Sequence, residues 1–232
     1  MTEPQIRLQA DGERLTRPSL KTPKAAAIAG IIFSVLLIAI FLLLRAAFPS
    51  QPVPASAVLR NQAATIAVAV NLIPFAGIAF LWFIGVVRDR LGEREDRLFG
   101  TVYFGSGLLF LAMLFSAAAV VSATIIAFAA RPGQAIDPDT FAFVRTLASD
   151  LTNTYALKMA AVFMLSTSSV AARTKLVPRY LAGLGMVLGL FILLGSQYFD
   201  WSFFVFPIWV LLLSIQILVD NFGRTSLAPD RS

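Results

Sequence analysis

The chain has no cysteine and no histidine among its 232 residues. The first absence excludes disulfides, thiolate nucleophiles and thiolate metal sites. The second removes imidazole, the side chain that titrates near neutrality and the commonest metal ligand. Charge is scarce as well: charged residues make up 14% of the chain, against about 25% in an ordinary soluble domain. Hydrophobic residues make up 58%, Phe alone occurs 20 times, and the mean hydropathy is +0.79. So little charge cannot cover so much apolar side chain in water, so lipid must be the solvent.

The spacing of the charges divides the chain. Uncharged runs cover residues 25–44, 61–87, 98–130, 180–199 and 201–219, and residues 151–172 carry one charge, Lys158. Crossing about 30 Å of hydrocarbon takes about 20 residues of helix at 1.5 Å each, so all six runs reach across. The short alternating strands of a membrane barrel, about ten residues each, are missing from the pattern. The expected fold is all-α, a polytopic bundle of six transmembrane helices.

Lys and Arg orient it. Fourteen lie in the N-terminal tail, the loops after the second and fourth runs, and the C-terminal tail. Four (Arg45, Arg60, Arg131, Arg145) lie on the opposite side. Basic residues stay cytoplasmic, which puts both termini inside. The net charge of +6 is then topological and gives no footprint for nucleic acid. The first run is too long for a signal-peptide core and lacks a clean small-residue cleavage site, so it should stay as an anchor.

This gives three regions. Residues 1–23, with Pro4, Pro18, Pro23 and several charges, form a disordered basic tail; residues 24–222 form the bundle; residues 223–232 form a cytoplasmic C-terminal tail. The loop Arg88–Arg97 holds four basic and four acidic residues and reads as a self-neutralising solvated turn. On the outer side, Arg131-Pro132-Gly133 ends the third helix and Asp137-Pro138-Asp139 looks like a helix start, an Asp capping and Pro138 in the first turn. No helix breaker follows from Thr140 to Ala172, so a hairpin between the third and fourth helices should rise above the outer surface.

Ionisable residues inside a membrane helix are functional candidates by default. Asp150, Thr154 and Lys158 recur every four residues, with Asn153 beside them, and share a helical face. Asn71 lies at comparable depth, three residues before Pro74, whose ring removes a backbone hydrogen bond and frees the carbonyl of residue 70. Asn71, Asp150, Asn153, Thr154 and Lys158 are therefore the candidate lining of a polar pocket open to the outer face. The simpler reading has Lys158 stretch to the outer headgroups. Small residues at four-residue spacing, Ala26/Gly30/Ser34 and Gly185/Gly189, favour close helix contact.

Catalysis finds little to work with. No span has paired carboxylates, and a Ser–Lys dyad would need Lys158 to reach Ser166 two turns away, about 12 Å. No catalytic, cofactor or metal residue is assigned. Proton- or sodium-coupled carriers usually hold acidic residues near mid-membrane, and this chain has none there. The reading is a non-catalytic, multi-pass membrane protein of accessory or structural role. Its partners are membrane lipids, with another membrane protein or a second copy left open. The alternative is a small-solute transporter or channel using the outer pocket near Asn71 and Lys158. A closed, dry core would favour the first; a polar cavity reaching both residues, the second.

Two segments carry a resemblance. Leu176-Val177-Pro178-Arg179-Tyr180-Leu181-Ala182-Gly183-Leu184-Gly185, and the opening Lys24-Ala25-Ala26-Ala27-Ile28-Ala29-Gly30-Ile31-Ile32-Phe33, are similar to the matching parts of a group of uncharacterised bacterial six-helix integral membrane proteins, a domain-of-unknown-function family abundant in actinobacteria. The resemblance covers the six-span layout and is specific over about twenty residues. The chain departs from the group in its longer basic N-terminal tail and the charge-dense loop at 88–97. The resemblance implies a bacterial inner (plasma) membrane location and offers no site residues.

Overall fold

The computed structural model describes residues 22–48, 55–91, 97–130, 137–174, 178–199 and 201–225. The predicted N-terminal tail up to residue 21, the core of the charged loop at 92–96, the turn at 131–136 and the chain after residue 225 lie outside these. Every regular element among the described residues is helical: α1 (Thr22–Ala47), α2 (Ala55–Leu91), α3 (Arg97–Ala129), α4 (Pro138–Asp150), α5 (Leu157–Thr174), α6 (Arg179–Gly195) and α7 (Ser202–Thr225). A π-helical turn, Leu151–Ala156, joins α4 to α5, and a 3₁₀ turn, Ser196–Tyr198, follows α6.

Five of the six predicted spans are helices long and apolar enough to cross a bilayer: Ala25–Ala47, Asn61–Arg88, Gly100–Ala129, Pro138–Arg173 and Ser202–Asp220. The sixth, α6, is a shorter apolar helix of 17 residues, about 25 Å at 1.5 Å per residue. It begins at Arg179 because Pro178 caps it with an extended backbone, its carbonyl accepting from the amides of Leu181 and Ala182. It tightens at Gly195 into the 3₁₀ turn. The run read as a span to Phe199 is therefore a helix plus a turn.

The helices form a ring. α1 lies between α2 and α7, α2 packs on α3, α3 on α4 and α5, and α5 on α6; α7 touches α5 and α6. Both faces of each long helix are apolar. On α1, Phe33, Leu37, Ile40 and Phe41 are buried while Ile28, Ile32, Val35 and Leu42 face outward. Trp82 on α2 is 66% exposed and Leu194 on α6 is 69% exposed. An outer surface built of Leu, Ile, Val and Phe is stable only against hydrocarbon, and this is a membrane protein.

At the centre of the ring sits Phe80, fully buried. Its ring meets Phe33 of α1 (centroids 4.5 Å apart), Phe83 of its own helix (6.2 Å), Phe110 of α3 (5.5 Å), Phe163 of α5 (5.2 Å) and Phe206 of α7 (5.7 Å). Phe110 and Phe206 also meet each other at 5.0 Å, and Tyr103 stacks on Phe163 at 4.8 Å. Aromatic pairs at such distances add roughly 0.5–1.5 kcal/mol each beyond the area they bury. One aromatic cluster therefore links α1, α2, α3, α5 and α7.

The small residues make contacts inside the chain. A Cβ at Gly30 would overlap the Ser214 hydroxyl and the Phe83 ring. One at Gly185 would overlap the Ser168 hydroxyl and the Trp209 indole, and one at Gly189 would press on Leu165 and the Ala161 carbonyl. Glycine is needed there because α1–α7 and α5–α6–α7 approach through its bare Cα.

Two expectations follow. Phe80→Ala should cost about 3–5 kcal/mol, whereas Phe75→Ala, at an exposed position of the same helix, should cost less than about 0.5 kcal/mol; thermal unfolding of the purified protein in lipid nanodiscs measures both. In the same assay Gly185→Ala should lower the midpoint, while Gly183→Ala, where nothing lies within 4 Å of the added methyl, should hold or raise it.

Candidate functional site

A cavity of about 430 Å³ opens at one end of the ring. Every wall comes from the same end of its helix: the last turns of α1 (Ile40, Phe41, Leu44), the first half of α2 (Ile66, Val70, Ile73), the second half of α3 (Leu114, Val121, Ile125), α4 and the π turn, and the start of α7. This is the end assigned to the outer side by the basic residues. Below it, among Leu37, Phe41, Phe110 and Phe206, only about 10 Å³ of free space continues. The aromatic cluster forms the floor.

α4 forms the loosest wall. Asp137 caps it, its carboxylate accepting from the Thr140 amide (3.0 Å) and the Thr140 hydroxyl (2.9 Å), and Pro138 follows in the first turn. The expected capping role thus falls to Asp137. None of the thirteen residues of α4 is buried. Phe141, Val144, Arg145 and Ala148 line the cavity, at the i, i+3, i+4, i+7 spacing of one helical face.

The π turn interrupts the helix expected to run unbroken from Thr140. The amide of Leu157 reaches back five residues to the Thr152 carbonyl. Just before it the Thr152 hydroxyl donates to the Ala148 carbonyl (2.9 Å), and the Asn153 amide donates to the Ser149 hydroxyl (3.0 Å). Side chains that bond back to the preceding turn loosen the regular ladder, and a wide turn shifts which residues share a face.

The structure divides the predicted pocket residues. Asn153 lines the cavity; Asn71, Asp150, Thr154 and Lys158 do not. Asn71 is exposed on α2 with its amide donating to the Ala67 carbonyl at 2.8 Å, one turn back. Asp150 is exposed, and Thr154 and Lys158 are half-buried. The polar residues that do line the cavity are Ser149, Thr152 and Asn153, one turn of chain, with Thr124, Ser196 and Ser202. Pro74 matters in the way its ring implies: Val70, whose carbonyl loses the donor four residues on, is a lining residue, and Pro207 does the same to Phe203, another lining residue.

The charges on the cavity were not legible as site residues. Among the described residues, Arg45 and Arg145 are its only charged lining residues, and no described carboxylate lines it. Both are exposed, and neither forms an ion pair with a described residue. The Arg45 guanidinium lies over the Trp201 ring, 4.1 Å from its centroid. In the sequence these arginines count only as outer-side charges, 100 residues apart. Of the serines on α5, Ser166 and Ser169 donate to the carbonyls of Val162 and Leu165 (2.7 and 2.8 Å), so their protons are committed to the helix.

No protein-family model, curated protein or solved structure gives a significant match to this chain.

The Asp137 cap makes α4 sensitive to acid. The Thr140 amide, and then its hydroxyl, hold the carboxyl below its ordinary value of 3.8. A carboxylate favoured in the folded state contributes above its unfolded value and ceases to contribute as pH falls through the lowered one. Hydrogen-exchange protection of the α4 amides, measured against α5 as reference, should fall selectively below about pH 3.8, and Asp137→Asn should remove that pH dependence.

Proposed function

We propose that this chain is a non-catalytic protein of the bacterial inner membrane that crosses it six times with both termini in the cytoplasm. Its accessory role is to hold a hydrophobic ligand in the outer-end cavity. The observation that carries this reading is the pairing of an aromatic floor with an apolar chamber. Phe33, Phe80, Phe110, Phe163 and Phe206 fill the space between the helices, and a cavity of small-molecule size, within the range of about 300–1,000 Å³, lies above them with mostly aliphatic and aromatic walls.

Helix lengths support the placement. From Pro138 to Thr174 the chain spans about 55 Å, well beyond the roughly 30 Å of hydrocarbon. With Arg173 at the inner boundary, Asn153 falls at the outer one and α4 stands above it, as the wall of a protruding hairpin with α3. Trp201, Tyr198 and Phe199 are exposed beside Arg45, as an interfacial aromatic belt requires. The carrier reading is weaker because Asn71 and Lys158 lie away from the chamber and a solute path would have to pass the phenylalanines. An enzyme would need a base; the lining supplies hydroxyls, amides and guanidiniums, and none of these removes a proton near neutral pH.

The absence of native cysteine makes the test direct. In spheroplasts, Ser149→Cys should react with a membrane-impermeant maleimide from outside, while Ala160→Cys, fully buried one turn from Phe163, should not, and tags at both ends should stay protected. Labelling of Ser149→Cys only after permeabilisation would invert the topology; equal labelling of both cysteines would mean an aqueous path and restore the transporter.

A further inference from the structure

The geometry points to a single-chain amphiphile with an acidic headgroup, carboxylate or phosphate, as the ligand of the chamber, its head between Arg45 and Arg145. This rests on the proposed ligand-holding role and gives that role a chemical class.

The first support is charge. Two guanidiniums face a chamber whose described lining residues include no acidic side chain. Four of the six other polar lining side chains donate within the chain: Thr124 to Val120, Thr152 to Ala148, Asn153 to Ser149, and Ser202 to the Ser196 carbonyl. The arginine N–H groups are the strong donors left over, and they prefer planar or multidentate oxyanions. Stacking on Trp201 occupies the face of the Arg45 guanidinium and leaves its in-plane donors available while restricting its motion.

Depth is the second support. Arg45 ends the apolar run of α1, and Trp201 begins that of α7, so the pair marks the headgroup level. Ile40, Phe41, Ile73 and Leu114 lie on the hydrocarbon side of that level and line the lower chamber. A ligand that satisfies both regions has a charged end and an alkyl end. Size is the third: a volume of about 430 Å³ lies in the lower part of the range of about 300–1,000 Å³ for small-molecule sites, a fit for one alkyl chain.

The test uses the full chain in phosphatidylcholine nanodiscs with dodecanoate, dodecyl phosphate, dodecanol, dodecyltrimethylammonium, inorganic phosphate and phosphatidylglycerol as probes. Binding is read by thermal shift and by protection of Ser149→Cys from maleimide. The two acidic single-chain probes should shift the midpoint and protect the cysteine; the alcohol and the cation should bind at least about tenfold more weakly. Arg45→Gln with Arg145→Gln, both at exposed positions, should weaken acid binding about tenfold, read as the ligand-induced shift from the double variant's own unliganded midpoint because Arg45→Gln also removes the stacking on Trp201, and Arg145→Lys should recover part of it. Equal binding of dodecanol and dodecanoate, unchanged in the double variant, would overturn the acidic headgroup and leave the hydrophobic chamber standing. Inorganic phosphate matching dodecyl phosphate would mean a free-anion site, and phosphatidylglycerol matching it would mean a two-chain lipid; either overturns the single-chain assignment. If no probe shifts the midpoint or protects the cysteine, both this inference and the ligand-holding role fail.

Discussion

Five helices of this bundle meet at one ring, that of Phe80. Between membrane helices lipid is as apolar as leucine, so burying aliphatic surface gives little preference for protein over lipid, and shape and close packing must hold the helices together. Flat rings at edge and tilted angles fill the space between several helices at once. Phe33, Phe110, Phe163 and Phe206 reach Phe80 from four different helices, and bare glycines at the helix crossings let the backbones come close enough for them to do so. Closure of that part of the bundle follows from this cluster, and so does the position of the cavity, since at the cavity end the contacts among Phe41, Trp201, Phe203 and Phe204 join only α1 and α7.

Polar groups within the bundle are handled mostly within single helices. The hydroxyls of Ser34, Ser116, Thr124, Ser166, Thr167 and Ser169 each donate to a carbonyl four residues back, which satisfies the donor where no water is at hand. Exceptions cluster at the closest contacts: Ser168 and Trp209 beside Gly185, and Ser214 beside Gly30, are buried without a hydrogen-bond partner. Tight approach of the backbones is kept there at the expense of unmade hydrogen bonds.

The cavity end is governed differently. α4 buries none of its residues, and the π turn that joins it to α5 sits where Thr152 and Asn153 donate back along the helix, to the Ala148 carbonyl and the Ser149 hydroxyl. Few buried contacts and a local break in the helical ladder are the physical marks of a segment that opens more easily than the core. The α4 wall of the cavity is therefore the part of the described chain least fixed by packing, and the aromatic floor the part most fixed by it.

Much of this was written in the chain itself. Long uncharged runs specify helices, because in hydrocarbon each backbone polar group must be satisfied within its own segment, and Asp137-Pro138 and Pro178-Arg179 mark helix starts by local chemistry alone. The short sixth helix and the π turn were not readable. The four-residue period grouped Asp150, Thr154 and Lys158, whereas the face that lines the cavity runs from Phe141, Val144, Arg145 and Ala148 to Thr152, with Ser149 and Asn153 beside it; packing, which no period reveals, sets the face that turns inward. Sequence thus determined which segments are helical and apolar, since those are local properties of composition. Which of twenty phenylalanines meet at the centre, and that Arg45 and Arg145 share one chamber, only the tertiary structure decided, because those contacts join residues that no local pattern relates.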